Sequence, residues 1–198
     1  VISLEARMDL LSECVNIGLG RAAESLNRMC GSHVLLSAPE IRILNRPSLT
    51  AAASDRCPSL CEGVFLPFTG VMRGMTALAF AHCDAKALVD GLTEAMGITE
   101  LSEQMREDTL REVGNVVLVG VLGAMGTMLG LHVDYQPLFT GHNLEPLLAV
   151  ADACRTVTLY VRARFSLERF LATGEILVVL GQEGFEALTA ALDAKIGA

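Results

Sequence analysis

DLLSECVNIGLGRAAESLNRMCGSHVLLSAP, residues 9–39, is the stretch whose reading decides the fold. As a helix it places Asp9, Glu13, Asn16 and Gly20 on one side, because steps of four, three and four residues each advance close to a whole turn. At about 100° per residue these positions share an arc of roughly 60°. Leu4, Met8, Leu11, Val15, Leu19, Ala22 and Leu26 gather on the opposite side, the pattern of a helix with one buried stripe. A carboxylate and a neutral amide therefore stand one turn apart on the polar face, with a glycine beside them that leaves room for a partner to approach.

The same face recurs. DTLREVGNVV, residues 108–117, repeats the pattern as Asp108, Glu112 and Asn115, each 99 residues after its counterpart. Gly31, His33 and Val34 match Gly130, His132 and Val133 at that offset, and a proline follows in each half, Pro39 and Pro137. The chain reads as a single domain over 1–198, built from two homologous halves at about 1–99 and 100–198.

Composition narrows the classes. The 198 residues are 52% hydrophobic with a mean hydropathy of +0.46, so extensive burial is expected and disorder is not. A net charge of -8 argues against nucleic acid, which requires clustered Lys and Arg. The longest apolar run, residues 116–131, is shorter than the ~20 residues of a bilayer span, so no membrane insertion is expected. Glycines at 120, 123, 126 and 130 interrupt it and invite close packing of another element. Six irregularly spaced cysteines without an export signal read as reduced thiols in the cytoplasm. Cys57 and Cys61 lack a second nearby pair or a histidine, and a structural role is expected for them rather than a metal or redox centre. The chain begins at Val1 rather than Met, which is compatible with a processed or excised piece of a longer protein.

Periodicity predicts a helix over 4–29 stopped at Gly31, a strand over 33–44, and strands over 60–68 and 71–81 joined by a Thr-Gly turn. A helix follows over 84–96 with Asp84 as its cap. The order then repeats: helix 103–129, extended chain 132–139, a short helix at 144–152, strands 156–165 and 175–180, and a closing helix 184–196. Helix, three strands and helix in each half predict an α+β fold with pseudo-two-fold symmetry. Its centre is a largely antiparallel six-stranded sheet, with two long motif-bearing helices and further helices packed on it.

Two rival motifs fall away. Gly18-Leu19-Gly20-Arg21-Ala22-Ala23 has the form of a dinucleotide fingerprint, but the segment before it has helical rather than strand periodicity. In the repeat its two glycines become Val117 and Val119, which a phosphate loop would not survive. His33 and His132 each stand alone at a helix-to-strand junction, where a capping or packing role is expected. Glu and Asn have a chemical use together. An Asn amide donates and accepts, so it can hold a water by two hydrogen bonds, yet it is no base at neutral pH. It suits a reaction in which water needs orienting more than deprotonating, such as phosphoryl transfer with its loose transition state. The plain alternative is a solvated polar face duplicated with the gene.

Asp9-x3-Glu13-x2-Asn16-x22-Pro39 resembles, position by position, the signature of the CheC/CheX/FliY phosphatases of chemotaxis, and Asp108-x3-Glu112-x2-Asn115 resembles it again. The duplicated order is most similar to CheC. The second copy departs from the signature, since 21 residues instead of 22 separate Asn115 from Pro137. The resemblance implies removal of phosphate from the aspartyl phosphate of a CheY-like receiver domain. Asn16 and Asn115 would then orient the attacking water, and Glu13 and Glu112 would pair with the receiver's active-site lysine. Asp9 and Asp108 belong to the signature as auxiliary positions. It also implies no cofactor or metal of the chain's own, since Mg²⁺ comes with the receiver, and it adds CheD, which some members bind, to the partners. A non-catalytic receiver-binding or flagellar-switch module of the same fold is the competing expectation.

Overall fold

The structure is a computed structural model that describes residues 2–31, 33–45, 47–48, 61–98, 100–153, 156–167 and 170–197. Helix α1 spans Leu4–Cys30, followed by β1 (Leu35–Leu44), β2 (Cys61–Gly70), β3 (Gly74–Ala81) and α2 (His82–Ala95). The second half runs α3 (Glu103–Leu129), β4 (Val133–Tyr135), β5 (Phe139–Gly141), α4 (Glu145–Ala153), β6 (Thr156–Leu167), β7 (Phe170–Gly181) and α5 (Gln182–Ile196).

The two long helices are bounded by the same devices. Ser3 Oγ accepts from the Ala6 amide at 3.1 Å, and Ser102 Oγ accepts from the Met105 amide at 3.2 Å, so each satisfies a donor left open in the first turn. At the far ends Gly31 and Gly130 take left-handed conformations, with φ of 62° and 66°, and their amides close onto Asn27 O and Gly126 O. Both helices are 27 residues long as a result.

The strands form one antiparallel sheet in the order β1-β6-β7-β3-β2-β4, with β5 also on β2. The first strand of each half lies against the second strand of the other. Thus β1 pairs with β6, while β4 and β5 pair with β2. The sheet has seven strands among the described residues where six were expected. The segment expected as one strand over 132–139 is two, parted at residues 136–138, where Pro137 supplies no ladder donor. Pro39 lies in the edge strand β1, whose register with β6 shifts between Ser37 and Glu40.

Helices α1, α2, α3 and α5 cover one face of the sheet. Their buried residues join Val64, Phe68, Leu78, Phe80, Val161, Phe165, Ile176 and Val178 in the main core. On the other face Leu147 and Ala151 of α4 pack with Phe65, Ala77, Tyr160 and Leu177. Among the described residues α3 alone is long and apolar enough to cross a membrane, and half of its apolar window is buried inside the molecule. Asp84 is not the cap of α2: the N-cap is Ala81, and Asp84 Oδ1 accepts from the Thr173 amide of β7 at 3.2 Å. Strand β7 begins at Phe170, five residues before the expected start, and pairs with β6 along its whole length.

Candidate functional site

The polar side of α1 is as the periodicity required. Asp9, Glu13, Asn16 and Gly20 are exposed, while Leu11, Cys14, Val15 and Leu19 are buried. Among the described residues no hydrogen bond or ion pair engages the side chain of Glu13 or Asn16, so both are available to a partner. A Cβ added at Gly20 would meet nothing within 4 Å, which leaves an open approach one turn beyond Asn16. Cys14 lies between Glu13 and Asn16 in sequence but points inward, and burial pushes its thiol up from the usual range. It therefore offers no thiolate nucleophile to this face.

The second face differs. Asp108 and Glu112 are exposed, but Asn115, Val116 and Val119 are only half-exposed. Asp108 Oδ1 accepts from Gln104 Nε2 at 3.1 Å, and Glu107 Oε1 accepts from Thr140 Oγ1 of β5 at 2.5 Å. The hydroxyl of Tyr135, on β4, lies 3.4 Å from where a Cβ on Gly123 would sit, two turns beyond Asn115. Burial raises the pKa of that phenol. The structure thus presents both motifs at the surface, with the first more open than the second.

The two motif helices pack against each other. A Cβ on Gly18 would lie 2.6 Å from Val121 Cα and 2.7 Å from Gly120 O, so the backbones of α1 and α3 touch there. This is the use of the first glycine in the fingerprint-like run: it sits inside a helix at a helix crossing, not in a phosphate loop. Gly114 is the corresponding device between α3 and the sheet, where a Cβ would fall 2.5 Å from the Val64 side chain. Each half's motif helix is also joined to the other half's closing helix by an ion pair, Arg7–Asp193 and Arg106–Asp90. Hydrogen bonding from Arg7 holds the Asp193 carboxyl below the usual carboxylate range, and Lys86 followed by Arg106 does the same for Asp90.

Sequence reasoning missed these pairs, although Arg7 and Arg106 obey the 99-residue offset and would have been found by extending the repeat two positions upstream. The histidines differ from expectation. The rings of His33 and His132 are exposed, and His132 Nε2 lies 3.0 Å from Asp134 Oδ1. The junctions are held instead through main-chain amides: the Val71 amide donates to the His132 carbonyl, and the Val34 amide donates to the Asn27 side chain at Oδ1. Cys61 is buried in β2, and Cys57 lies outside the described residues.

No protein-family model matches the sequence. Among solved structures, FliY from Thermotoga maritima superposes with a TM-score of 0.71 at 19% identity, over 98% of this chain and 99% of that chain. FliM in the FliM–SpeE complex from H. pylori gives 0.68 at 9% identity, covering 98% of each chain. The FliG–FliM complex from the same organism gives 0.69 at 8% identity, over 96% of this chain and 100% of that chain. This chain has the fold of FliY and FliM, which is the α+β fold that its resemblance to the CheC/CheX/FliY proteins implies.

Proposed function

We propose that the chain dephosphorylates the aspartyl phosphate of a CheY-type receiver domain. The observation that carries this reading is the exposed Glu13–Asn16 face of α1, open at Gly20 and repeated as Glu112–Asn115 on α3. Asn16 would hold a water by its amide in line with the scissile P–O bond. The water oxygen bonds to phosphorus, the bond to the receiver's aspartyl oxygen breaks, and inorganic phosphate and a free carboxylate result. The charge of Glu13 would meet the receiver's lysine, fixing the register of docking. The receiver, with its Mg²⁺, is the substrate and brings the electrostatic stabilisation. Asp9 and Asp108 stand one turn upstream of the glutamates and would extend the docking surface. CheD is a further partner on the same resemblance, and the cytoplasm is the compartment in which such a receiver works.

A second reading rests on the FliM structures, one of them in complex with FliG, which share this fold. On that reading the chain is a receiver-binding or switch module without catalysis. Phosphate release from phosphorylated CheY, measured with the chain, without it, and with Asn16→Ala plus Asn115→Ala, separates the two. Loss of the orienting amides should lower the accelerated rate by at least ~10²-fold while receiver binding persists. Binding without acceleration by the parent chain selects the switch reading. Full activity in the double variant refutes the role given to Asn.

A further inference from the structure

Each motif helix begins beside a hollow. Under the first turns of α1 lies an apolar cavity of about 260 Å³, lined in part by Met8, Leu11, Phe185, Leu188 and Leu192. Beside the first turns of α3 a more open hollow of about 420 Å³ is lined in part by Asp90, Thr93, Gly97, Leu101 and Arg106. Packing is therefore incomplete at the ends of the helices that carry Asp9 and Asp108, and dispersion contacts that would fix a helix in place are fewer there.

An arginine lines each hollow and pairs with an aspartate of a closing helix. Arg7 Nε and Nη2 donate to the two oxygens of Asp193 on α5 at 2.6 and 2.7 Å. Arg106 Nη1 donates to Asp90 Oδ1 on α2 at 2.7 Å, and Lys86 Nζ donates to the other oxygen at 2.8 Å. A planar guanidinium sharing directed hydrogen bonds with a carboxylate defines an orientation as well as an attraction. Helix α1 is next fixed where Gly18 crosses Gly120, and α3 is fixed at Gly114 against Val64 and again at that crossing. Glu13 and Asn16 lie between Arg7 and Gly18, and Glu112 and Asn115 lie between Arg106 and Gly120. With Gly18 as pivot and a rise of ~1.5 Å per residue, a tilt of about 10° moves Glu13 by about 1.3 Å.

We propose that Arg7 and Arg106 are positioning residues, each setting the orientation of its own motif helix from the closing helix of the opposite half. The proposal rests on the phosphatase reading for its activity measurement, and its consequence is crossed. A change in α5 at Asp193 should impair the first-half site at Asn16, and a change in α2 at Asp90 should impair the second-half site at Asn115.

The test introduces Asp193→Asn or Asp90→Asn into the full chain carrying either Asn115→Ala, which leaves the first site, or Asn16→Ala, which leaves the second. Asp193→Asn should lower kcat of the first-site protein on the order of 10-fold and change the second-site protein less than ~2-fold, with Asp90→Asn giving the reverse. Exchanging the charges, Arg7→Asp with Asp193→Arg, should restore most of the first-site rate. Hydrogen exchange is read in parallel: Asp193→Asn should speed it in residues 4–13 and not in 103–112. Equal losses at both sites, no loss at either, or unchanged exchange overturns the proposal. If the parent chains bind receiver but release no phosphate, the phosphatase reading fails. Exchange, together with the affinity for a beryllofluoride-activated receiver, then decides the positioning role.

Discussion

Alanine at position 18 would set its methyl carbon 2.6 Å from Val121 Cα and 2.7 Å from Gly120 O, about 1 Å inside ordinary contact of ~3.5–4.0 Å. Both obstacles are backbone, so no side chain can rotate away and α1 must separate from α3. Such overpacking costs about 1–3 kcal/mol, and rigid neighbours place this site at the upper end. Removing a mid-helix glycine returns about 0.5–1 kcal/mol. The net expectation for Gly18→Ala is a loss of about 2 kcal/mol. Gly20→Ala, two residues along the same helix, meets nothing within 4 Å and should gain about 0.5–1 kcal/mol. The two variants should therefore differ by roughly 2–3 kcal/mol, or about 5–10 °C in Tm for a chain of this size. Thermal and urea unfolding give the stability, and phosphate release from a phosphorylated receiver gives the second readout. Gly20→Ala should melt higher yet work more slowly, because its methyl narrows the approach to Asn16. A Gly18→Ala protein with a Tm at or above the parent's would refute the backbone contact on which the helix crossing rests.

The single Asn variants should be unequal. Asn16→Ala should cost more initial rate than Asn115→Ala, since Asn16 is exposed beside open space and Asn115 is half-exposed beside Val119; equal losses would refute this. Glu13→Lys should raise the Kd for a receiver without moving Tm, because an exposed side chain is exchanged and like charge then faces the receiver's lysine. Stability should fall in acid. Asp90 and Asp193 titrate below their unfolded value of 3.8, so the folded state binds fewer protons than the unfolded one between the two pKa values. Their contribution is complete above that value and is lost as pH falls through the folded pKa. Urea midpoints measured from pH 6 to pH 3 should decline, and decline less for Asp90→Asn with Asp193→Asn.

Legibility in the sequence followed the range of the interaction. The motif helices are set by local terms (serine caps, left-handed glycines, a stripe at helical spacing), and all of these lie within a turn or two along the chain. Their polar faces were readable for the same reason, and the 99-residue repeat separated Glu and Asn from incidental neighbours. What escaped was what depends on distant contacts. Phe170 to Gly174 of β7 reads poorly as a strand alone but is paired to β6 along its whole length. Asp84 looked like a cap, yet it is claimed by a β7 amide. Gly18 and Gly114 are explained only by Gly120 and Val64, which periodicity cannot bring beside them. A tighter second face was legible in part, since Val119 stands at the place of Gly20, but the half-burial of Asn115 itself depends on neighbours that the motif does not record.

The exchange of first strands between halves has a bearing on how the chain is made. Leu35 must meet Ser166, and Leu44 must meet Thr158, more than a hundred residues downstream. While the first half alone has left the ribosome, β1 has no ladder to join, and β3 has a bare edge on the side that β7 will take. The sheet can close only once β6 and β7 have been synthesised. Long-range pairing of this kind makes folding slow and leaves apolar strands open to other nascent chains. The register shift and proline in β1, and the proline between β4 and β5, interrupt the strands at the two outer edges, where such chains would otherwise add.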